Sequence, residues 1–337
     1  MSGEPGGPAP DRGSPPAGSR DLATGIACAA ASVLLFSGFT LASRLGLSSS
    51  LRVADLAALR FGIGGTLLLP VLLRHGLSGL RWTQALALAF LGGGGFALLA
   101  YAGFALAPAA HGAVLLHGTL PLLTFAILAA TSAERPGRAR AAGLLLIVGG
   151  IAAMAIDSGA GASPRQLAGD ASLLLASASW SGYGVLVRHL GRPAPQCAAI
   201  VAVLSAAAFL PVYAFLPGKA LFDATPREWM PQALVQGVLV GAVSIFVYTR
   251  AVAALGPATT ALFTAAVPCI TTLAALPLLS EAPSAASLAG VAATTVGMAL
   301  AATRAAAPRS GPGARRAAPG SSRRSRRSRP RRRTRAN

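Results

Sequence analysis

Charge is what this sequence has least of. Only 12 % of its 337 residues are Asp, Glu, Lys or Arg, against roughly 25 % in soluble proteins, too few to clothe a water-facing surface of this size. Acidic residues number 10. No paired buried carboxylates, no Ser/His/Asp or Cys/His array and no metal-ligand spacing can be assembled, so the sequence reads as a non-enzyme without a cofactor. Cysteine is confined to Cys28, Cys197 and Cys269, scattered in or beside apolar runs. That excludes a disulfide framework and a cysteine metal cluster and leaves them as small buried hydrophobes. The period-two alternation of an outer-membrane barrel is missing. So is a signal peptide: the opening residues are polar and rich in Gly, Pro and Ser, and the first apolar run is too long for an h-region.

What is abundant is apolar length. Hydrophobic residues make up 53 % of the chain and the mean hydropathy is +0.60. A bilayer core about 30 Å thick takes roughly 20 apolar residues as helix, and lipid requires each span to satisfy its own backbone polar groups. Ten runs qualify: 22–43, 54–73, 84–106, 109–130, 140–156, 170–190, 194–216, 231–251, 257–279 and 285–303. Pro108 alone separates the third from the fourth. The expectation is an all-α integral membrane protein with ten transmembrane helices and both termini on one side. Counting Lys and Arg near the ends of the runs assigns 23 to that side and 5 to the other, which makes it the cytoplasmic side of an inner or plasma membrane. The net charge of +19 belongs to a tail, since 13 of the 29 basic residues lie from Arg304 onward. Residues 1–21 and 304–337 are expected to be disordered. The Arg-rich tail is read as a partner of anionic membrane lipid, not of nucleic acid.

The two halves repeat. Tyr101, Pro121 and Glu134 have the same spacings as Tyr248, Pro268 and Glu281, at a shift of 147 residues. That shift also superposes Trp82 on Trp229, Gly143 on Gly290 and Gly150 on Gly297. Phe36-Ser37-Gly38-Phe39 with Arg44 matches Trp180-Ser181-Gly182-Tyr183 with Arg188 at a shift of 144. A unit of five helices has an odd number of crossings, so its two copies, 22–157 and 170–303, enter the membrane in opposite senses. Inverted repeats of this kind build secondary transporters, with the substrate near the midplane between the halves.

At these residues the sequence resembles the EamA family of the drug/metabolite transporter superfamily. The matching features are the aromatic-small-small-aromatic clusters 36–39 and 180–183, Arg60-Phe61, Leu120-Pro121 running to Glu134, Val267-Pro268 running to Glu281, and Gly169-Asp170. The second copy has Val201 where the first has Arg60, and Phe36 stands where the family usually has Trp. The resemblance implies export or uptake of small polar metabolites or drugs, commonly amino acids and their derivatives, and it alone favours export. A flippase of lipid or lipid-linked headgroups is the rival on the same fold; a membrane-embedded enzyme is a further one. A homodimer is left open.

Ionisable groups inside a span cost roughly 2.5–3.5 kcal/mol at the helix centre on insertion scales, so Arg60 has two readings: it snorkels to an interface, or it attracts a carboxylate or phosphate in a cavity. Arg60, Tyr101, His117, Tyr248 and Trp180 are the candidate substrate contacts, expected to face one space between the halves. His111 and His117, six residues apart on one helix, face different sides and cannot share a metal; His117 is either a hydrogen-bonded structural histidine or a proton carrier lining the cavity. Glu134 and Glu281 cap helices or act as gate charges, with Pro121 and Pro268 as the structural breaks beside them. Gly92-Gly93-Gly94-Gly95 sits mid-span with no Lys-Ser/Thr after it, so it marks close helix contact or a flexible point, not a phosphate loop.

Overall fold

The computed structural model describes residues 19–132, 137–159 and 163–302. Glu134 and the tails up to residue 18 and from 303 onward lie outside the described residues, and with them the readings made for them. The described chain is helical throughout, without a strand. The helices are α1 (Ser19–Leu47), α2 (Val53–His75), α3 (Trp82–Leu106), α4 (Ala109–Ala130), α5 (Arg138–Gly159), α6 (Pro164–Leu190), α7 (Ala194–Phe215), α8 (Pro226–Leu255), α9 (Pro257–Leu279) and α10 (Ala285–Ala302).

Local chemistry sets their ends. Asp55 accepts from the amide of Arg52 at 2.8 Å to start α2, and Gln84 does the same for Arg81 at 3.0 Å before α3. At α8, Thr225 and Glu228 form a reciprocal cap with Pro226 at the first helical position, where its missing N–H costs nothing. Ser163 accepts from Gln166 to start α6, which ends on Gly191 at φ 59°. Gly256 at φ 85° separates α8 from α9.

Of these helices, α1 to α4 and α7 to α9 are long and apolar enough to cross a membrane. The same measure does not reach α5, α6 and α10, so the expectation of ten spans is met only in part. The apolar part of α10 is short, Ala285–Ala301, and α5 opens on Arg138 and Arg140. In α6 the dilution is internal: Ser177, Ser179, Ser181 and Gly184 are buried against other helices, where small residues permit close approach.

The repeat is visible in how backbones touch. A Cβ on Gly143 would stand 2.4 Å from the carbonyl oxygen of Gly297, and one on Gly150 would stand 2.6 Å from that of Gly290. Rising numbers on α5 meet falling numbers on α10, so these helices run antiparallel. The 147-residue shift turns each glycine pair into the other, as a two-fold axis between them requires. A second symmetric contact follows. The backbone of α8 at Gly241 comes within 2.8 Å of a Cβ placed on Gly64 of α2; the corresponding place on α7 is Ser205, whose hydroxyl accepts from Gly94 at 3.1 Å and donates to Ala89 O at 3.2 Å.

Ser205 inserts there into a wide, π-type turn over Phe90–Gly94, where Gly93 leaves helical geometry. A matching wide stretch occupies Ala233–Ser244 in α8. The glycine run is thus the close contact expected of it, and it carries an irregular turn; side-chain insertion and π-type turns are standard causes of a kink. The fourth helix of each unit is interrupted as well, α4 around Gly118–Thr119 and α9 around Thr264–Ala265. Pro121 and Pro268 follow in the first turn after each interruption, where a residue without an N–H is tolerated.

The glycine crossing gives a direct test. Gly143→Ala and Gly150→Ala each press a methyl on the partner's backbone and should destabilise by about 1–3 kcal/mol, read as a lower melting temperature of the purified protein. Gly149→Ala, with nothing within 4 Å of its Cβ, should melt like wild type; an equal loss at all three positions would sink the crossing.

Candidate functional site

The aromatic clusters of the two units meet in one core. Phe36 and Phe39 on α1 reach Trp180 and Tyr183 on α6, with Phe96 of α3 and Tyr248 of α8 between them. Ring centroids lie 4.6 Å apart for Phe96–Trp180, 5.0 Å for Trp180–Tyr248 and 5.7 Å for Phe36–Tyr248. These are favourable aromatic separations.

Arg60 is buried at the edge of this core, 1 % exposed. Its guanidinium lies 5.3 Å from the Phe39 ring centre and 5.4 Å from that of Phe96, and Tyr101 is its polar neighbour. Among the described residues no acidic side chain forms a salt bridge with it, and Nη1 has no hydrogen-bond partner. Two desolvated cation–π contacts, about 2 kcal/mol each, are together of the size of the insertion cost of the charge. The unpaired donor still costs about 1–3 kcal/mol, a deficit that an anionic acceptor would remove. Snorkelling is excluded by the burial.

Tyr101 donates to Gln236 Oε1 at 2.9 Å; Gln236 Nε2 reaches Ser43 Oγ and Gln232 Oε1, each at 3.2 Å, and Gln232 bonds the carbonyl of Ala42. A buried network of α1, α3 and α8 therefore borders the arginine. On the other side of the core His117 stacks on Phe36 at 5.2 Å and lies 3.3 Å from the Thr40 hydroxyl. Trp180 Nε1 is buried and also without a partner.

Arg60, Tyr101, His117, Trp180 and Tyr248 thus belong to one aromatic core shared by both units. The space expected between them is closed: what remains is a small apolar void lined by Phe36, Phe96, Leu116, His117, Leu120 and Trp180, without Arg60.

The open cavity lies elsewhere. A pocket of about 580 Å³ opens where α1, α4, α6, α9 and α10 meet at their ends, walled in part by Arg44, His111, Gln166, Glu281 and Ser287. Glu281 is salt-bridged to Arg44, taking a second hydrogen bond from its Nε at 3.2 Å, and it accepts from the backbone of Ala109 at 2.8 Å. It caps the start of α4, in the other unit, while holding the end of α1. Arg44 also donates to Phe104 O at 2.7 Å. His111 Nδ1 lies 2.9 Å from Asp170. Pro121 and Pro268 are buried in the core of the fourth helices. Sequence reasoning did not find Gln232, Gln236 or the Arg44–Glu281 and His111–Asp170 pairs. The 144-residue match of Arg44 with Arg188 was the one available signal, and Arg188 likewise donates to a backbone carbonyl, that of Ala253 at 3.1 Å.

The profile of the EamA-like transporter family matches residues 23–156 and again 167–303. No curated protein matches the chain. A solved structure titled only "Crystal structure of protein" is similar in fold: 23 % identity, TM-score 0.60, covering 84 % of this chain and 96 % of its own.

The Glu281 contacts predict an order of effects. Arg44→Ala removes the ion pair and the bond to Phe104 O, whereas Glu281→Ala removes the ion pair and the cap of α4. A charged hydrogen bond is worth about 1.5–3 kcal/mol and a cap about 1 kcal/mol, so Arg44→Ala should melt lower. Charge exchange, Arg44→Glu with Glu281→Arg, should recover part of the loss of either single reversal. Equal melting of all variants would remove the strut.

Proposed function

The chain belongs to the EamA-like transporter family, and we propose that it is a ten-span secondary transporter moving a small anionic or zwitterionic metabolite by alternating access, with export the favoured direction. The observation that carries this reading is Arg60, a buried cation with an unpaired donor set against the rings of Phe39 and Phe96 in the first repeat. Two halves packed about a two-fold axis exchange between equivalent packings at low cost, and a charge held between them meets substrate from either side. The closed aromatic core and the open pocket at one end fit a state in which the centre is shut. In this reading Arg60 binds the carboxylate or phosphate, Tyr101, Trp180 and Tyr248 contact the remainder, and His117 lines the path. Glu281, with Pro268 behind it, and Glu134, with Pro121, serve the gates. We place the units at 22–157 and 170–303, the membrane as the inner or plasma membrane, and the Arg-rich tail against anionic lipid.

One feature favours the flippase alternative. Gly62, Gly65, Thr66, Leu69, Ala206 and Leu210 line a shallow, largely apolar groove between α2 and α7, where an acyl chain would lie while its headgroup crossed.

Metabolite profiles of cells overexpressing the protein, against an empty vector, separate these readings: a polar solute should change on expression, and lipid composition of the two leaflets should not. Arg60→Ala at equal expression should abolish most of that change, and Arg60→Lys should restore it only in part, because Lys lacks the planar two-pronged donor. Wild-type profiles from Arg60→Ala would remove the site. Reporter fusions after Arg20 and after Arg304 should both report the cytoplasm; a signal from the far side at either position would refute the topology.

A further inference from the structure

His111 and Asp170 meet across the two repeats at the wall of the open pocket. His111 stands in the first turn of α4 and Asp170 in the second turn of α6, joined Nδ1 to Oδ1 at 2.9 Å, with side chains 7 % and 18 % exposed. The bond ties the helix that begins at Pro108 to the opening helix of the other unit. The charged groups lining the pocket around it are few. Arg44 on α1 and Glu281 in the α9–α10 connection are paired with each other; α6 contributes the neutral Gln166, and α10 contributes Ser287. His111 is therefore the one ionisable lining residue outside the Arg44–Glu281 pair, and Asp170 is its partner.

Transport against a gradient needs a driving ion whose binding alters a contact between the moving halves. We propose that the His111–Asp170 pair is the proton-binding site that couples this transporter, taking its proton from the pocket. The inference rests on the transporter reading above. Imidazole is the side chain whose charge ordinarily changes near neutrality. Without the added proton the pair is a neutral imidazole donating from Nδ1 to a carboxylate, with net charge −1. One added proton makes it an imidazolium–carboxylate ion pair with net charge 0. The protonated pair holds α4 to α6 and keeps the pocket as it stands; loss of the proton weakens the only charged tie between these two helices among the described residues and lets them separate. His117 suits this task less, because it is sealed between Phe36 and the small void and its hydrogen-bonding neighbour, Thr40, does not ionise.

The test uses the full chain with Cys28, Cys197 and Cys269 replaced, reconstituted in nanodiscs. A single cysteine at the pocket wall, Ser287→Cys, is labelled with a water-soluble maleimide at about pH 5.5 and about pH 8, a range spanning ordinary imidazole titration. Each rate is divided by that of Ser48→Cys, an exposed position, which cancels the ionisation of the thiol. The ratio should change by about threefold or more with pH, being larger at the acidic end. His111→Gln and Asp170→Asn should each flatten it, while His117→Gln should leave it pH-dependent. A ratio that is flat in the parent, or unchanged in His111→Gln, or flattened by His117→Gln instead, overturns the proposal. Because labelling needs no substrate, these outcomes are independent of the metabolite profile. A flat ratio beside a changed profile removes the proton site and leaves the transporter; a pH-dependent ratio beside an unchanged profile does the reverse.

Discussion

The fold turns on backbone meeting backbone. Where α5 crosses α10, the carbonyls of Gly290 and Gly297 occupy the volume that side chains on Gly150 and Gly143 would need. In lipid there is no hydrophobic drive to bring apolar helices together, because lipid tails are as apolar as leucine; contact has to come from close packing. Glycine alone permits this approach, and the two-fold relation means that a change in either unit acts on the crossing. The same logic appears at Gly64 against Gly241, where two backbones touch. In the other copy serine replaces glycine: Ser205 meets Gly94 through its hydroxyl, so the contact is kept but becomes a hydrogen bond.

Those contacts also account for where helices are allowed to break. A wide turn leaves backbone groups unpaired, and each unpaired group is expensive away from water. In α3 the deficit is met by Ser205, which serves Ala89 O and Gly94 N together. In α4 the interruption is bordered by Thr119, which bonds Leu115 O and Ser177 Oγ, and by Ser181, which reaches Leu120 O at 3.4 Å. The serines that dilute the hydropathy of α6 are therefore the groups that make an irregular α4 tolerable. A helix judged weak as a membrane span by composition is one that the core needs.

This explains what could be read from the sequence. The apolar helices, the stop at Pro108, the repeat and the prolines of the fourth helices are local or periodic signals with counterparts in the structure, although only seven of the ten expected spans reach membrane length and hydropathy. Arg60 was visible because a charge in an apolar run stands out. The long-range pairs were not visible: Arg44 and Glu281 are 237 residues apart and Tyr101 and Gln236 are 135 apart. Apolar residues on every face of a membrane helix leave no amphipathic stripe to say which side turns inward. The closed centre was equally hidden, since a sequence that sets aromatics around a site does not say whether a given state has them packed together.

The symmetry is broken where chemistry is concentrated, and this ties the site to the repeat. Tyr101 and Tyr248 are equivalent, but Tyr101 donates to Gln236, while the position equivalent to Gln236 in the first copy is Ala89. Arg60 corresponds to Val201 and Phe39 to Tyr183, which bonds Thr249 at 2.7 Å. The charge, the glutamine network and the unpaired donor thus lie on the side built by α1, α2, α3 and α8, whereas the opposite side is closed by tyrosines and threonine. Two backbone halves related by an axis can exchange packings because their contacts are equivalent. A substrate needs the reverse, a single unequivalent charge to bind to. In the proposed function, symmetric glycines and prolines with an asymmetric arginine would meet both requirements in one chain.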